Sequence, residues 1–212
     1  GKVAVLEIEK APFSGWSGVL KLLEDKILGA VLTLMYLPLM GLIAIAIKFD
    51  SPGPVFFKQK RYGFNNQLIE VYKFRTMYHN QSDRVQFTQA TKSDPRITRI
   101  GRLLRKTSLD ELPQLFNVLN NTMSLIGPRP HPVELNRQFE QLLADYNMRH
   151  KVKPGMTGWA QINGWRGETE TLEKMRARVE HDIYYIENWS GWLDLRILLA
   201  TVLVGWAHKN AY

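Results

Sequence analysis

The sequence predicts an α+β protein, mainly helical, in which a membrane-embedded helix is joined to a small soluble domain with amphipathic interfacial helices. Three observations support this fold class. Residues 27–47 contain no charged side chain, and the rest of the chain shows short helical and strand-like hydrophobic periodicities. The formal net charge is +8, with a pI near 9.7, which favours anionic partners such as phospholipid headgroups, nucleotide phosphates or nucleic acid.

The chain starts at Gly1, and residues 1–20 have the composition of a linker or of the remnant of a preceding region. Its 212 residues are enough for one domain with a buried core. Because the chain has no cysteine, disulfides, cysteine nucleophiles and thiolate metal sites are excluded from its function.

Residues 21–49 are predicted to form the membrane segment, because their uncharged stretch of 21 residues is about as long as the hydrocarbon core is thick. Pro38 lies at the midpoint and is expected to bend the helix sharply, since proline removes a backbone donor. Lysine and arginine flank the segment on both sides, so neither end is favoured as the cytoplasmic one. Two topologies stay open: a re-entrant hairpin broken at Pro38, or a proline-kinked span.

The soluble part is predicted to begin with two short strands, at residues 55–58 and 68–74, followed by a polar loop at 78–94. A basic amphipathic helix is predicted to begin at Pro95, because arginine recurs every third residue opposite an apolar face. That basic face fits a solvated surface, a membrane contact or a nucleic-acid contact. Further predictions are helices at 132–150 and 168–188, a turn-rich segment at 153–167, and an apolar segment of the interface or core at 192–206.

Asp110 and Glu111 are the candidate catalytic residues. With Ser108 they fit a capping box at a helix start, and this purely structural interpretation stays open. The functional interpretation uses the same position, because a carboxylate in the first helical turn stays ionised where a phosphate can approach. An ionised Asp110 can attack phosphorus and form an acyl phosphate, and Glu111 can hold Mg2+, which prefers carboxylate and phosphate oxygens.

Phosphoryl transfer also requires positive charge around the phosphate oxygens. Arg105 precedes Asp110 by five residues, and Arg129 lies between two prolines in a rigid turn. Both are candidates for binding substrate phosphates through their guanidinium groups, and Lys73 and Arg75 are further candidates. The five histidines are scattered, and the sequence has no P-loop, dinucleotide-binding or hydrolase-elbow motif.

Five motifs occur in order along the chain, at residues 50–59 (DSPGPVFFKQ), 73–77 (KFRTM), 105–119 (RKTSLDELPQLFNVL), 124–130 (SLIGPRP) and 153–163 (KPGMTGWAQIN). Together they resemble the bacterial sugar transferases known as monotopic phosphoglycosyl transferases, over about residues 20–212. The segment 164–169 (GWRGET) resembles the branch that transfers glucose-1-phosphate to undecaprenyl phosphate for exopolysaccharide or capsule synthesis.

The resemblance implies a two-step transfer. Asp110 attacks the β-phosphate of a UDP-sugar, with UDP-glucose favoured, and UMP is released. Undecaprenyl phosphate then takes the phosphosugar from the enzyme. The resemblance also assigns Glu111 to Mg2+ and places Arg105 and Arg129 near the substrate phosphates.

The resemblance further implies a re-entrant hairpin at Pro38 with both ends cytoplasmic. Residues 50–212 are then a cytoplasmic catalytic domain on the bacterial inner membrane, in contact with phospholipids and not with nucleic acid. The oligomeric state is open, and a homodimer is compatible with the sequence.

Two other functions are distinguished by their chemistry. A membrane-tethered binding protein for anionic lipid or nucleic acid would use Asp110 and Glu111 only as a helix cap and would do no chemistry. An ordinary glycosyltransferase would move the sugar without its phosphate and release UDP, whereas phosphosugar transfer releases UMP.

Overall fold

The computed structural model describes residues 13, 15–79, 94–167 and 171–207, with side chains described as far as residue 203. This part of the chain is mainly helical with two small sheets, as the sequence predicts. The helices are α1 (Trp16–Asp50), α2 (Arg99–Thr107), α3 (Gln114–Leu119), α4 (Val133–Glu140), α5 (Trp159–Ile162), α6 (Leu172–Glu187) and α7 (Gly191–Ala207). The strands are β1 (Phe56–Tyr62), β2 (Leu68–Phe74), β3 (Ser124–Ile126) and β4 (Gly155–Thr157).

Helix α1 is 35 residues long and begins at Trp16, inside the stretch predicted as a linker. Among the described residues it is the one helix long and apolar enough to cross a bilayer. It continues through Pro38 without interruption, so the predicted division into two helices at that residue is not confirmed. Proline removes one intrahelical hydrogen bond, but α1 packs against the rest of the described fold on both sides of Pro38.

One face of α1 is buried along most of its length. The buried residues recur at helical spacing and are Lys21, Asp25, Gly29, Thr33, Met40, Ile43 and Ile47. The opposite face is apolar and exposed, with Leu34, Leu42 and Phe49 at 71%, 66% and 88% exposure. An exposed apolar face of this length is typical of contact with lipid or with another protein.

The two sheets are small and join distant parts of the chain. Strands β1 and β2 form an antiparallel hairpin over seven residues each. β1 therefore extends to Tyr62, beyond the predicted end, because its polar half is held by pairing with β2 and by Arg61, which donates to the carbonyl of Pro130. Strands β3 and β4 pair in parallel, and β4 lies inside the segment predicted to be turn-rich.

Helix α2 starts at Arg99, so the predicted start at Pro95 is wrong. The hydroxyl of Thr98 accepts a hydrogen bond from the backbone N–H of Gly101 at 2.9 Å and caps the helix. Asp94 accepts from the backbone and guanidinium N–H groups of Arg96 and stabilises a turn before that cap. A local side-chain cap outweighs the preference of proline for the first helical position.

Other predicted boundaries also shift. The helix predicted at 132–150 is interrupted, since α4 ends at Glu140 and a 3-10 helix covers Tyr146–Lys151. The last long amphipathic helix, α6, begins at Leu172, and residues 168–170 lie outside the described residues. Most of the polar loop predicted at 78–94 also lies outside them.

Two apolar clusters attach α1 to the rest of the described fold. Leu28 and Leu32 pack against the first, which includes buried side chains of α3, β3, α6 and α7. Met40, Ile43 and Ile47 form the second together with Phe74 of β2 and Leu104 of α2. A third cluster packs α4 against α6. The turn between α2 and α3 is therefore held beside α1 and at the end of β2.

Candidate active site

The carboxylate pair lies in this turn. Asp110 and Glu111 belong to a 3-10 helix, Leu109–Glu111, and Asp110 is only 9% exposed. Ser108 precedes the turn in a left-handed conformation and makes no side-chain cap. The backbone N–H of Glu111 donates to the Ser108 carbonyl at 3.2 Å, and the hydroxyl of Ser108 accepts from Arg166 instead. The capping box is therefore not formed, and the purely structural interpretation of the pair loses its support.

Two cations from distant parts of the chain bind Glu111. Lys73 Nζ, at the end of β2, lies 2.7 Å from Glu111 Oε1. Arg129 Nη1, in the turn between β3 and α4, donates to Glu111 Oε2 at 3.1 Å, and its Nη2 donates to Oε1. The geometry is the bidentate pairing that guanidinium groups make with carboxylates. Lys73, Arg129 and Glu111, which the sequence singles out separately, are thus in direct contact.

Arg105 completes the positive surroundings of the pair. Its Nε donates to Thr76 Oγ1 at 2.9 Å, which holds the side chain between α2 and the residues after β2. Its charge favours ionisation of Asp110. Three of the four predicted phosphate-binding cations therefore act on one carboxylate pair.

Arg75, the fourth predicted cation, binds backbone carbonyls away from the carboxylate pair. Its Nη2 donates to the carbonyl of Ser51 at 2.7 Å, and its Nη1 donates to the carbonyl of Pro52. These carbonyls belong to the turn that follows α1, so Arg75 ties that turn to the end of β2. The structure does not bring it into the group around Asp110.

The two carboxyl groups have opposite electrostatic environments. Burial alone would raise the pKa of Glu111, but the charges of Arg129 and Lys73 and their hydrogen bonds hold it well below the usual range. Burial raises the pKa of Asp110, and the neighbouring charge of Glu111 adds to this, while Lys73, Arg105 and Arg129 oppose it. Glu111 therefore loses its proton more readily than an ordinary carboxyl group, and Asp110 takes up a proton more readily.

The positive charge at the site comes from side chains more than from a helix. The sequence predicts that a helix start keeps Asp110 ionised, but the 3-10 helix has three residues and α3, which follows it, has six. Among the charges that oppose protonation of Asp110, that of Lys73 has the largest effect. Lys73 is itself partly buried, and this desolvation lowers its pKa, against the opposing effect of Glu111.

A pH experiment tests this electrostatic arrangement. Lys73→Met removes the cation that most favours the ionised form of Asp110, so the pKa of Asp110 rises further. We expect the acidic limb of the pH–rate profile for reaction at Asp110 to move to higher pH, because the ionised form is populated only above that pKa. Lys58→Met is the matched control, since Lys58 pairs with Glu70 on the exposed side of the same hairpin. If the acidic limbs of Lys73→Met and wild type superimposed, Lys73 would not be the cation that keeps Asp110 ionised.

Further residues, which sequence reasoning missed, hold the turn that carries Arg129. Arg149 Nη2 donates to the Arg129 carbonyl at 2.6 Å and to Asp182 Oδ2 at 2.7 Å, and both side chains of this ion pair are almost fully buried. His131 lies in the same group, where burial and the charges of Arg149 and Arg178 hold its pKa well below the usual value. His131 is therefore neutral.

A sequence signal for this group does exist. Arg178 and Asp182 are one helical turn apart on the buried face of α6, whose other members include Met175, Val179 and Ile186. Charged residues on an apolar helical face are rarely buried unless they are paired. That rule points to a buried ion pair, although it does not identify Arg149 as the partner.

The carboxylate pair also fits a magnesium ion. Mg2+ in phosphoryl-transfer sites is bound through one or two carboxylates and by substrate oxygens and water. Glu111 is held ionised, and its Oε2 accepts a hydrogen bond from Arg129 Nη1 at 3.1 Å. Within the described residues no group of three metal-binding side chains occurs, so the other ligands would have to come from substrate and water.

Comparison with known proteins identifies the family of the chain. The family model of the bacterial sugar transferases matches residues 16–208. The chain is 53% identical, over 99% of its length, to the UDP-glucose:undecaprenyl-phosphate glucose-1-phosphate transferase of Escherichia coli (strain K12), and 51% identical, over 99%, to that of Klebsiella pneumoniae. It is 49% identical, over 92%, to that of Xanthomonas campestris pv. campestris.

The chain spans less than half the length of these relatives, 45%, 45% and 40% respectively. The family match nevertheless covers α1, the hairpin, the carboxylate turn and α7 in a single alignment. The chain belongs to the bacterial sugar transferase family.

Proposed function

We propose that this chain transfers glucose-1-phosphate from UDP-glucose to undecaprenyl phosphate, with Asp110 as nucleophile. The observation that carries the proposal is the buried Asp110 beside Glu111, Lys73, Arg105 and Arg129. Asp110 can act as a nucleophile toward phosphorus, and the cations around it can stabilise the charge of a phosphoryl group. The names of the relatives support the choice of sugar nucleotide and lipid.

In the first step an oxygen of the Asp110 carboxylate attacks the β-phosphorus of UDP-glucose. The bond between that phosphorus and the bridging oxygen breaks, and UMP leaves with the electron pair. The product is an acyl phosphate on Asp110 that carries the sugar. Arg105 and Arg129 stabilise the charge on the phosphate oxygens during the displacement.

In the second step a phosphate oxygen of undecaprenyl phosphate attacks the same phosphorus. The acyl phosphate bond breaks, the Asp110 carboxylate is regenerated, and undecaprenyl diphosphate glucose is released. The net reaction is UDP-glucose plus undecaprenyl phosphate to undecaprenyl diphosphate glucose plus UMP. No water and no external base are consumed, because both leaving groups depart as anions.

Magnesium is part of the proposal. When bound, Mg2+ neutralises part of the charge on the diphosphate and so lowers the barrier to attack by an anion. Glu111 would hold it. Lys73 and Arg129 lower the pKa of Glu111 and so keep it in the charged form that the ion requires.

We also propose that both ends of α1 lie on the cytoplasmic side of the inner membrane, with its exposed apolar face in contact with lipid and residues 50–212 as the catalytic domain. Both ends of α1 contact the same soluble domain, since Lys21 pairs with Asp194 of α7 and Ile47 packs against Phe74 and Leu104. A single crossing would carry one end about 30 Å away from a domain on the other side.

The topology is tested by cysteine labelling, since these 212 residues contain no cysteine. Single cysteines replacing Trp16 and Pro54, which are both exposed, lie on either side of the membrane segment. An impermeant maleimide is expected to label neither in intact spheroplasts and both after lysis. Labelling of one position only in intact spheroplasts would indicate a crossing helix.

Product analysis tests the activity. Membranes containing the protein are incubated with UDP-glucose, Mg2+ and undecaprenyl phosphate, and the released nucleotide is identified by chromatography. UMP is expected in equal amount to undecaprenyl diphosphate glucose. Release of UDP would indicate transfer of the sugar without its phosphate, and the absence of any nucleotide product would favour a binding protein.

A further inference from the structure

The loop at residues 164–167 reaches the catalytic turn. Arg166 Nη2 donates to the hydroxyl of Ser108 at 2.7 Å, across 58 residues of sequence. Ser108 lies two residues before Asp110 and has a φ of 58° and a ψ of 15°. The left-handed conformation is disfavoured for residues other than glycine. A contact that holds Ser108 therefore bears directly on the direction of the Asp110 side chain.

The loop is held by hydrogen bonds from α6. Arg178, which is 5% exposed, donates from Nε to the carbonyl of Trp165 at 2.8 Å and from Nη2 to the carbonyl of Gly167 at 2.6 Å. Both neighbours of Arg166 are thus fixed by one buried guanidinium group. The position of Arg166 beside Ser108 therefore depends on α6 as well as on the loop.

We propose that Arg166 is a positioning residue for the transfer: through Ser108 it holds the turn that aims Asp110 at phosphorus, and Arg178 holds Arg166. The inference rests on the proposed function, since it assigns a role in that same reaction. The charge of Arg166 contributes less to this role than its hydrogen bond to Ser108. The cations with the largest influence on Asp110 are Lys73, Arg105 and Arg129, whereas Arg166 contacts the hydroxyl of the residue that starts the turn.

The test measures the rate of formation of the covalent phosphosugar adduct by rapid quench and intact-protein mass spectrometry. Arg166→Met and Ser108→Ala are each expected to lower the maximal rate about 10- to 100-fold, as a displacement of roughly 1 Å in a catalytic group does. The concentration of UDP-glucose giving half the maximal rate is expected to change less than about threefold. Arg166→Lys, which keeps one donor, is expected to recover part of the rate.

A double variant supplies the decisive comparison. If Arg166 acts through Ser108, Arg166→Met combined with Ser108→Ala is no slower than the slower single variant. Arg176→Met is the matched control, because Arg176 is an exposed arginine on the same helix as Arg178. Thermal melting of each variant separates loss of positioning from loss of fold.

Three results would overturn the proposal. A wild-type rate in folded Arg166→Met removes any role for the residue in aiming Asp110. Effects of the two single variants that multiply in the double variant show that Arg166 does not act through Ser108. A wild-type enzyme that forms no adduct overturns the proposed function as well, so failure of the two ideas is distinguishable.

Discussion

Asp110→Asn is expected to abolish the covalent phosphosugar adduct and to lower the rate of transfer roughly 10³- to 10⁶-fold, the range found when a covalent nucleophile is removed. The amide is nearly the same size as the carboxylate but cannot attack phosphorus. Intact-protein mass spectrometry after incubation with UDP-glucose and Mg2+ is the measurement. Wild type is expected to gain the mass of one hexose phosphate, and the variant is expected to gain none.

The same variant should fold normally, which makes the loss of activity interpretable. Burial disfavours the charged form of Asp110, so a neutral amide at that position removes an unfavourable contribution, and the melting temperature should be unchanged or higher. Asp145→Asn is the control, since Asp145 is exposed. An adduct that persists in Asp110→Asn would assign the nucleophile to another residue.

Lys21→Met is expected to have the largest effect on stability among the substitutions considered. Lys21 Nζ lies 2.7 Å from Asp194 Oδ2 and 3.2 Å from Asp25 Oδ1, and both carboxylate residues are buried. Removing one partner of a buried ion pair leaves an uncompensated charge and costs about 3–5 kcal/mol. For a chain of this size the melting temperature in detergent should fall by roughly 6–20 °C.

The surrounding hydrogen bonds define the controls for this prediction. Asp194 also accepts from the hydroxyl of Tyr185 at 2.8 Å and from the indole N–H of Trp189 at 3.0 Å. Because these two hydrogen bonds remain in Lys21→Met, we expect a loss of stability in the lower part of the range of about 3–5 kcal/mol. Adding Asp194→Asn to Lys21→Met removes one stranded charge and should recover part of the loss. Lys60→Met, at an exposed position of β1, should have little effect. Equal melting temperatures for the Lys21 and Lys60 variants would show that α1 is not attached through this group.

Lys21 also bears on the membrane arrangement. It joins the first turns of α1 to α7, while Ile47 joins the last turns to β2 and α2. A helix attached to one rigid domain at both ends cannot extend across the bilayer from that domain. The stability of this ion pair and the proposed location of both ends of α1 on one side of the membrane therefore depend on the same contacts.

Several parts of the fold could be predicted from the sequence because they depend on residues that are close together in the chain. The apolar stretch around Pro38 and the hairpin near Lys73 are visible as hydrophobic periodicities of nearby residues. The predicted start of α2 at Pro95 was wrong, because hydrogen bonds of the Thr98 hydroxyl and the Asp94 carboxylate determine where the helix begins. Helix ends depend on such single contacts, which periodicity does not report.

The sequence by itself determined the chemistry available: an adjacent Asp110 and Glu111, cations within motifs typical of one family, and a long apolar segment. Tertiary structure alone decided that Lys73 and Arg129 bind Glu111, that Arg75 binds backbone carbonyls, and that burial raises the pKa of Asp110. The reason is physical. Residue types and short spacings set what each side chain can do, whereas desolvation and ion pairing depend on which distant segments the folded chain packs together.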